Sequence, residues 1–177
     1  CEDLIVGECS TIWVAESKAS VEGFASGFLT EDSSGERRGE IDLLAVRPSR
    51  QGEGIGPRLI AGVGEEAASW GLDVLRALIR VENLPSQKAF GRVGYTTDGC
   101  GQQLHLWAPQ QSTEMRTIPE GISMIPVNTV TYRGLWIEGL ATLDHEGQRA
   151  VVSTAQAFIA LQNRVNTGAL VPCAYTA

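Results

Sequence analysis

The sequence predicts an α/β fold, in the α+β sense, in which a β-sheet is flanked by helices. The first observation is a pair of apolar runs at residues 11–15 and 21–29, separated by a short polar segment, which is typical of two antiparallel strands. The second is a further apolar run at residues 40–46 that leads through a glycine-rich turn into a segment with helical periodicity. The length of 177 residues suits one domain with a small appendage, and it is enough to bury a core without disulfides or metals.

The other elements of the first half follow from the same patterns. Residues 31–39 are polar and contain glycine, which predicts a loop before the central strand at residues 40–46. A helix is predicted at about residues 57–71, where Pro57 suits the first helical position and Gly71 suits the C-cap. Strands are then predicted at residues 74–81 and 103–107.

Three glycines, Gly52, Gly54 and Gly56, lie directly before the predicted helix. Because they carry no side chain, backbone N–H groups can approach a ligand closely, and at a helix N-terminus such groups form a site for phosphate oxygens. Two common phosphate-binding motifs are excluded. A dinucleotide fingerprint would need glycine where Pro57 stands, and no Gly-Lys-Ser/Thr follows as it does in a nucleotide P-loop.

The stretch from Gln51 to Gly56 matches Q/R-x-x-G-x-G/A, the acetyl-CoA pyrophosphate loop of the GNAT superfamily of N-acetyltransferases, and the chain resembles that family here. Residues 83–95 resemble the family's N-x-x-A-x-x-x-Y-x-x-x-G-F segment. In it Asn83 and Gly94 match, and three positions differ: Ser86 for alanine, Phe90 for tyrosine and Tyr95 for phenylalanine. The resemblance covers roughly residues 11–108 and implies a GNAT-like mixed, mostly antiparallel twisted sheet flanked by helices.

The resemblance also implies acetyl-CoA as the cofactor and assigns residues to it. Backbone groups of Leu44, Ala45 and Val46 would hydrogen-bond the pantetheine arm, which Asn83 and Ser86 would also reach. Arg50 or Arg58 would add positive charge near the pyrophosphate. The pyrophosphate itself would lie in the loop formed by Gln51, Gly52, Glu53, Gly54, Ile55 and Gly56.

Direct acetyl transfer to an amine needs a base, because only the neutral amine attacks. Glu40 matches a glutamate of histone-acetylating GNAT members and is predicted to be this base; the alternative is a solvated carboxylate at a strand end. Asp42 lies two residues on and would share its strand face. Phe90 stands where the family often has a proton-donating tyrosine, so Tyr95 is the candidate donor to the leaving thiolate, with packing as its alternative role.

GNAT chains usually begin with a strand and two helices before the first hairpin, whereas only a short segment precedes residue 11 here. We therefore predict a GNAT-like acetyl-CoA-binding core at residues 1–109 and a C-terminal β/α appendage at residues 110–177. The appendage would replace or complete the missing helices on the acceptor side, in the same chain or from the partner chain of a homodimer. The alternative is that the sequence is a fragment of a longer protein.

Within the appendage we predict β-structure at residues 121–136, a helix capped by Thr142 or Asp144 that runs to about Asn166, and a short strand at residues 169–172.

Composition narrows the choice of partners. The formal net charge of −7 argues against nucleic acid, whose phosphates need a basic surface. No apolar run approaches the roughly 20 residues of a membrane span. The four cysteines have no metal-ligand spacing, so we expect no metal, and they suggest free thiols in a reducing cytoplasm.

The predicted function is acetyl-CoA-dependent N-acetyl transfer to a primary amine of a small molecule or a protein. The glycine loop and Glu40 favour this enzyme. The alternative is a catalytically silent acyl-CoA-binding or partner-binding domain, which Phe90 and the missing N-terminal helices favour.

Overall fold

The computed structural model describes residues 10–18, 20–99, 101, 103–106, 115–128, 133–165 and 171–176. The chain forms two compact units. The first is built within Gly7–Glu31 and Glu36–Asp98, and the second mainly within Gly99–Ala177 together with Asp32–Gly35. The chain therefore passes into the second unit about ten residues before the predicted boundary at residues 109 and 110.

The first unit contains a four-stranded sheet in the order β1-β2-β3-β4. β1 pairs with β2, and β2 with β3, in antiparallel fashion, whereas β3 and β4 are parallel. The predicted mixed, mostly antiparallel sheet flanked by helices is therefore confirmed. The elements of this unit are β1 Ser10–Glu16, β2 Val21–Glu31, β3 Arg37–Val46, α1 Ile55–Ala67, β4 Val74–Arg76 and α2 Leu84–Arg92, with 3₁₀ turns at Pro48–Arg50 and Ala68–Trp70.

Helix α1 packs its apolar stripe on one face of this sheet. Gly27 on β2 lets the helix approach closely, because a Cβ placed there would lie 2.7 Å from Cγ1 of Val63. Gly71 ends the helical segment with a φ of 65°, as its predicted C-cap role requires. The buried core residues of the unit are Ala25, Ile41, Leu59, Ile60, Val63 and Phe90.

Three boundaries of this unit differ from prediction. α1 begins at Ile55 after its N-cap Gly54, so Pro57 is the third helical residue and not the first. β3 begins at Arg37 within the predicted loop, because Arg37 exchanges hydrogen bonds of 2.8 Å with Asp73, which holds the polar segment in the sheet. β4 ends at Arg76 and not at residue 81, because its pairing with β3 stops at the pair Glu40 and Arg76. Just beyond that pair, β3 carries an extra residue, Asp42, opposite β2, which is a β-bulge.

The described residues of the second unit form a sheet in the order β5-β8-β7-β6 and the helix α3. Residues 103–106 form a strand, β5, as predicted, but this strand belongs to the second unit and not to the first half, because it pairs with β8, a partner some 70 residues away in the chain. Asp144 caps α3 by accepting the N–H of Gly147 at 2.8 Å, whereas Thr142 lies in the preceding 3₁₀ turn. Asn166, and part of the predicted strand at residues 169–172, lie outside the described residues. The elements are β5 Gln103–Leu106, β6 Ser123–Asn128, β7 Arg133–Glu138, α3 His145–Val165 and β8 Val171–Thr176, with a 3₁₀ turn at Leu140–Thr142.

Candidate functional site

The glycine loop is open and has the backbone geometry that only glycine adopts easily. Gly52 has a φ of 87° and Gly54 a φ of 80°, both in the left-handed region that strains other residues. A Cβ built at either position would meet no atom within 4 Å. The described protein atoms therefore leave room for a ligand at both glycines.

Helix α1 begins at Ile55 directly after this loop, and no side chain caps its N-terminus. The helix also has no acidic residue in its first turn. The first N–H groups of a helix lack intrahelical acceptors and carry the positive end of the helix dipole. An uncapped N-terminus next to an open glycine loop therefore suits the oxygens of a phosphate.

Gln51 ties this loop to the end of β3. Its Nε2 donates a hydrogen bond of 3.2 Å to the carbonyl oxygen of Val46. The side chain is thus directed to the strand, so a ligand in the loop would meet mainly the backbone of residues 52–56. Ile55 is half-buried and belongs to the core, and Glu53 is exposed.

One edge of β3 is free beside the loop. Among the described strands, β4 is the neighbour on that edge, and it pairs only with Arg38, Gly39 and Glu40 of β3. Backbone groups of a strand point alternately to its two edges. Arg47 donates its N–H to Glu22 of β2, so by this alternation the backbone of Ala45 also points to β2 and only Leu44 and Val46 present theirs at the other edge, beyond the end of β4. An extended ligand can take the place of a strand there.

Helix α2 brings the second predicted segment to the same place. Asn83 caps this helix, with its Oδ1 accepting the backbone N–H of Ser86 at 3.2 Å. A Cβ at the buried Gly56 would lie 3.8 Å from Cβ of Ala89 on α2, so the helix packs against the start of α1. The structure thus brings the glycine loop, the end of β3 and α2 together.

Glu40 is buried and paired, unlike the solvated strand-end carboxylate considered as its alternative. It is 2% exposed, and its Oε1 lies 2.7 Å from Nε of Arg76 on β4. Thr30 also donates to Oε1 at 3.4 Å. Asp42 is exposed and occupies the bulge, so strict alternation no longer relates it to Glu40.

Tyr95 packs its ring edge-to-face against Phe90, with centroids 5.0 Å apart and planes at 86°. Its hydroxyl oxygen is buried and has no hydrogen-bond partner among the described residues. Burial raises the pKa of Tyr95 to about 12, so the phenol keeps its proton at neutral pH. A buried donor without an acceptor is a group that a ligand could satisfy.

Sequence reasoning missed an ionic cluster at the base of the loop. Glu22 at the start of β2 faces Nε of Arg47 at 3.5 Å and Nε of Arg50 at 3.7 Å. It also missed Arg76 as the partner of Glu40. No local pattern could have found these pairs, because their members lie 25 or more positions apart in the chain and meet only through strand pairing.

Metal-binding clusters and membrane-spanning helices are two further features that the described part of the chain could hold. That part contains no group of three or more His, Cys, Asp or Glu side chains arranged to hold a metal ion. Likewise, none of its helices combines the length and the apolar character that crossing a bilayer requires.

Comparison with known proteins agrees with this geometry. The model of the acetyltransferase (GNAT) family matches residues 2–95, a little over half of the chain. Mycothiol acetyltransferase of Streptomyces bingchenggensis (strain BCW-1) is 33% identical over 85 residues, which are 48% of this chain and 27% of that protein. The matched part thus spans about a quarter of this relative.

Two acetyltransferases are among the solved structures to which the chain shows some similarity. AAC(6')-Iy, in complex with the bisubstrate analogue CoA-S-monomethyl-acetylneamine, is 22% identical, with a TM-score of 0.48 over 56% of this chain and 71% of that chain. Ribosomal-protein-alanine N-acetyltransferase from Brucella melitensis biovar Abortus 2308 is 19% identical, with a TM-score of 0.46 over 56% of this chain and 73% of that chain. On the strength of the family match over residues 2–95, this chain belongs to the acetyltransferase (GNAT) family.

Proposed function

We propose that this protein transfers an acetyl group from acetyl-CoA to a primary amine of a small molecule or a protein. The observation that carries the proposal is the open, left-handed pair Gly52 and Gly54 at the uncapped start of α1. This arrangement suits a diphosphate, and the free edge of β3 beside it suits the amide-bearing pantetheine arm. When bound, acetyl-CoA supplies a thioester that is activated toward attack by an amine.

The residues proposed to hold the cofactor divide by the part of it that they contact. Backbone groups of Leu44 and Val46, on either side of Ala45, would pair with the pantetheine amides, and an N–H near Val46 would stabilise negative charge on the thioester oxygen. Asn83 and Ser86 would contribute from the start of α2. The diphosphate would contact the backbone of Gln51, Gly52, Glu53, Gly54, Ile55 and Gly56.

Glu40 remains our proposed base, and its surroundings define how it would act. An amine cannot touch a carboxylate that is 2% exposed, so its proton would travel through a water molecule or after Arg76 moves. Arg76 is the more accessible partner of the pair, with 26% of its side chain exposed. Arg76 stays protonated and does not carry the proton itself, so its part in the proposed mechanism is to move aside and open Glu40.

Tyr95 would assist the leaving thiolate by hydrogen bonding and not by giving up its proton. The pKa of Tyr95 is raised to about 12, whereas a thiol of the cysteine type has a pKa of about 8.5, so transfer of the phenol proton to the thiolate would be uphill by several kcal/mol. A hydrogen bond from the neutral phenol still stabilises the developing charge. This role would also satisfy its orphaned hydroxyl.

A catalytically silent acyl-CoA-binding domain is the second candidate. Phe90, which is 5% exposed, offers no proton where the family often has a tyrosine, and Glu40 is held by Arg76. Thiol release from acetyl-CoA, measured with a panel of small and peptide amines, separates the two functions. Release with at least one amine supports the enzyme, and coenzyme binding without release on any amine supports the silent domain.

The remaining assignments are proposals of the same kind. We propose that residues 110–177 complete the acceptor side, in the same chain or from the partner chain of a homodimer. We place the protein in a reducing cytoplasm, in line with four cysteines that lack metal-ligand spacing.

The cofactor site is tested by Gly54→Glu with calorimetric titration of CoA. Glutamate is strained at a φ of 80° and places a carboxylate beside the proposed diphosphate, so we expect at least a tenfold loss of affinity. Gly35→Glu is the matched control, because Gly35 has a similar φ of 86° and also has no atom within 4 Å of a built Cβ. Unchanged affinity in Gly54→Glu would refute the site.

A further inference from the structure

Glu22 is the centre of a polar cluster at the base of the glycine loop. Its Oε1 accepts hydrogen bonds from Oγ of Ser17 at 2.8 Å and Oγ of Ser20 at 2.9 Å, both in the turn between β1 and β2. Its backbone oxygen accepts the N–H of Arg47 at 2.8 Å. These contacts join the β1–β2 turn to the segment that leads into the loop.

The second carboxylate oxygen of Glu22, Oε2, faces both arginines and lies 3.5 Å from Nε of Arg47. Oε2 of Glu22 and Nε of Arg50 lie 3.7 Å apart, and each is buried without a hydrogen-bond partner among the described residues. The residue as a whole is 9% exposed. The two serine hydroxyls, and then Arg47 and Arg50, lower the pKa of Glu22 below its ordinary value of 4.5, so it is charged at neutral pH.

Arg50 also contacts a second carboxylate, on the loop itself. Its Nη2 lies 3.1 Å from Oε2 of Glu53, and both side chains are over 40% exposed. Glu53 directly precedes Gly54, so it places a negative charge where a diphosphate is proposed to bind. The two arginines and two glutamates of the cluster cancel in charge, and a diphosphate gains from Arg50 only if the Arg50–Glu53 contact opens.

We propose that Glu22 is a positioning residue that holds Arg50 beside the loop, and that the Arg50 guanidinium exchanges the Glu53 carboxylate for the diphosphate of CoA. The inference rests on the proposed function, because it needs CoA in the loop. Arg50 is well suited to this exchange, since its contact with Glu53 is exposed and therefore weak, whereas Glu22 is anchored by two serines. A guanidinium also binds phosphate oxygens through two parallel N–H groups.

The first test compares Arg50→Gln with the wild-type protein by calorimetric titration of CoA and of dephospho-CoA, which lacks the 3′-phosphate but keeps the diphosphate. Binding of both by the wild-type protein is the test of the proposed function. We then expect Arg50→Gln to lose about tenfold in affinity, or about 1.4 kcal/mol, for both ligands alike. A loss seen with CoA alone would place Arg50 on the 3′-phosphate and overturn the inference while the proposed function stands.

The second test asks whether Glu22 acts through Arg50. Glu22→Gln keeps an acceptor for Ser17 and Ser20 but removes the charge, and we expect about a threefold loss of CoA affinity that vanishes when Arg50 is already glutamine. An equal loss in the Arg50→Gln background would show that Glu22 only holds the loop, and would overturn the positioning role.

The third test concerns the exchange. Glu53→Gln should tighten CoA binding about threefold, because Arg50 no longer has a competing partner. Glu65→Gln is the control for the charge change, since Glu65 is an exposed carboxylate on the C-terminal half of α1. Unchanged or weaker binding in Glu53→Gln would refute the exchange, and Arg50→Gln keeps the inference testable if Glu22→Gln fails to fold.

Discussion

Replacing Tyr95 by phenylalanine should stabilise the ligand-free protein. The hydroxyl oxygen is buried and has no hydrogen-bond partner among the described residues. A buried polar group without a partner costs about 1–3 kcal/mol, and the ring remains in place against Phe90 after the change. Because the side chain is only half-buried, we expect the gain to lie near the lower limit, at about 1 kcal/mol.

Thermal unfolding followed by circular dichroism measures this gain. For a chain of this size, about 1 kcal/mol corresponds to a rise in Tm of about 2–4 °C. Tyr95→Leu is the control, because it removes the hydroxyl and also the edge-to-face contact with Phe90, and it should be less stable than the wild-type protein. A Tm of Tyr95→Phe at or below that of the wild-type protein would refute the inference that the Tyr95 hydroxyl is buried without a hydrogen-bond partner.

The same variant has a predicted pH dependence. The unfolded chain loses the Tyr95 proton near pH 10, whereas the folded protein keeps it until about pH 12. The wild-type protein therefore loses stability as the pH rises from 10 to 12, whereas Tyr95→Phe has no phenol and does not. The difference in free energy of unfolding between the variant and the wild-type protein should widen over this range. A difference that stays constant over this range would show that the phenol is not desolvated.

Two further predictions concern carboxylates, the buried Glu40 and the exposed Glu66. Glu40→Gln removes the charge of the carboxylate that faces Arg76 at 2.7 Å, so it should cost about 1–3 kcal/mol in the free energy of urea unfolding, with Arg76→Gln as the reciprocal control. In steady-state assays it should lower kcat at unchanged CoA affinity, and an unchanged kcat would remove Glu40 from the mechanism. Glu66→Gln removes a carboxylate whose pKa is lowered from 4.5 by hydrogen bonds from Thr11 and Trp13. The free energy of unfolding that this variant loses relative to the wild-type protein should be largest above pH 4.5 and should shrink as the pH falls below that value. An equal loss at pH 7 and pH 3, measured by urea unfolding, would contradict the lowered pKa of Glu66.

The parts of the fold that depend on local pattern were predictable. Apolar runs predicted β1, β2 and the central strand. Glycines marked the loop before α1, and Gly71 marked the end of the helical segment, where it is the C-cap of the 3₁₀ turn Ala68–Trp70 that follows α1. The loop could be predicted because Gly52 and Gly54 have left-handed φ values, which glycine adopts far more easily than other residues.

What depends on distant partners was not predictable. Nothing near Arg37 shows that Asp73 will draw it into the sheet, and nothing near residues 103–106 shows that they will pair with Val171–Thr176. The roles of Glu22 and Arg76 were missed for the same reason. Ion pairs between strands carry no periodicity, so their partners are known only once the register of the sheet is known.

The β-bulge at Asp42 accounts for much of the candidate site. A bulge bends its strand and increases the local twist. The pair formed by Glu40 and Arg76 is the last between β3 and β4, and it lies two residues before the extra residue of β3. Beyond the bulge, Leu44 and Val46 still pack into the core, so the strand continues in register with β2 while its other edge is free. One inserted residue, Asp42, thus accompanies the exposure of the backbone that is proposed to bind pantetheine. Because Asp42 is an exposed aspartate, it adds nothing to the apolar pattern, and the bulge could not be predicted from the sequence.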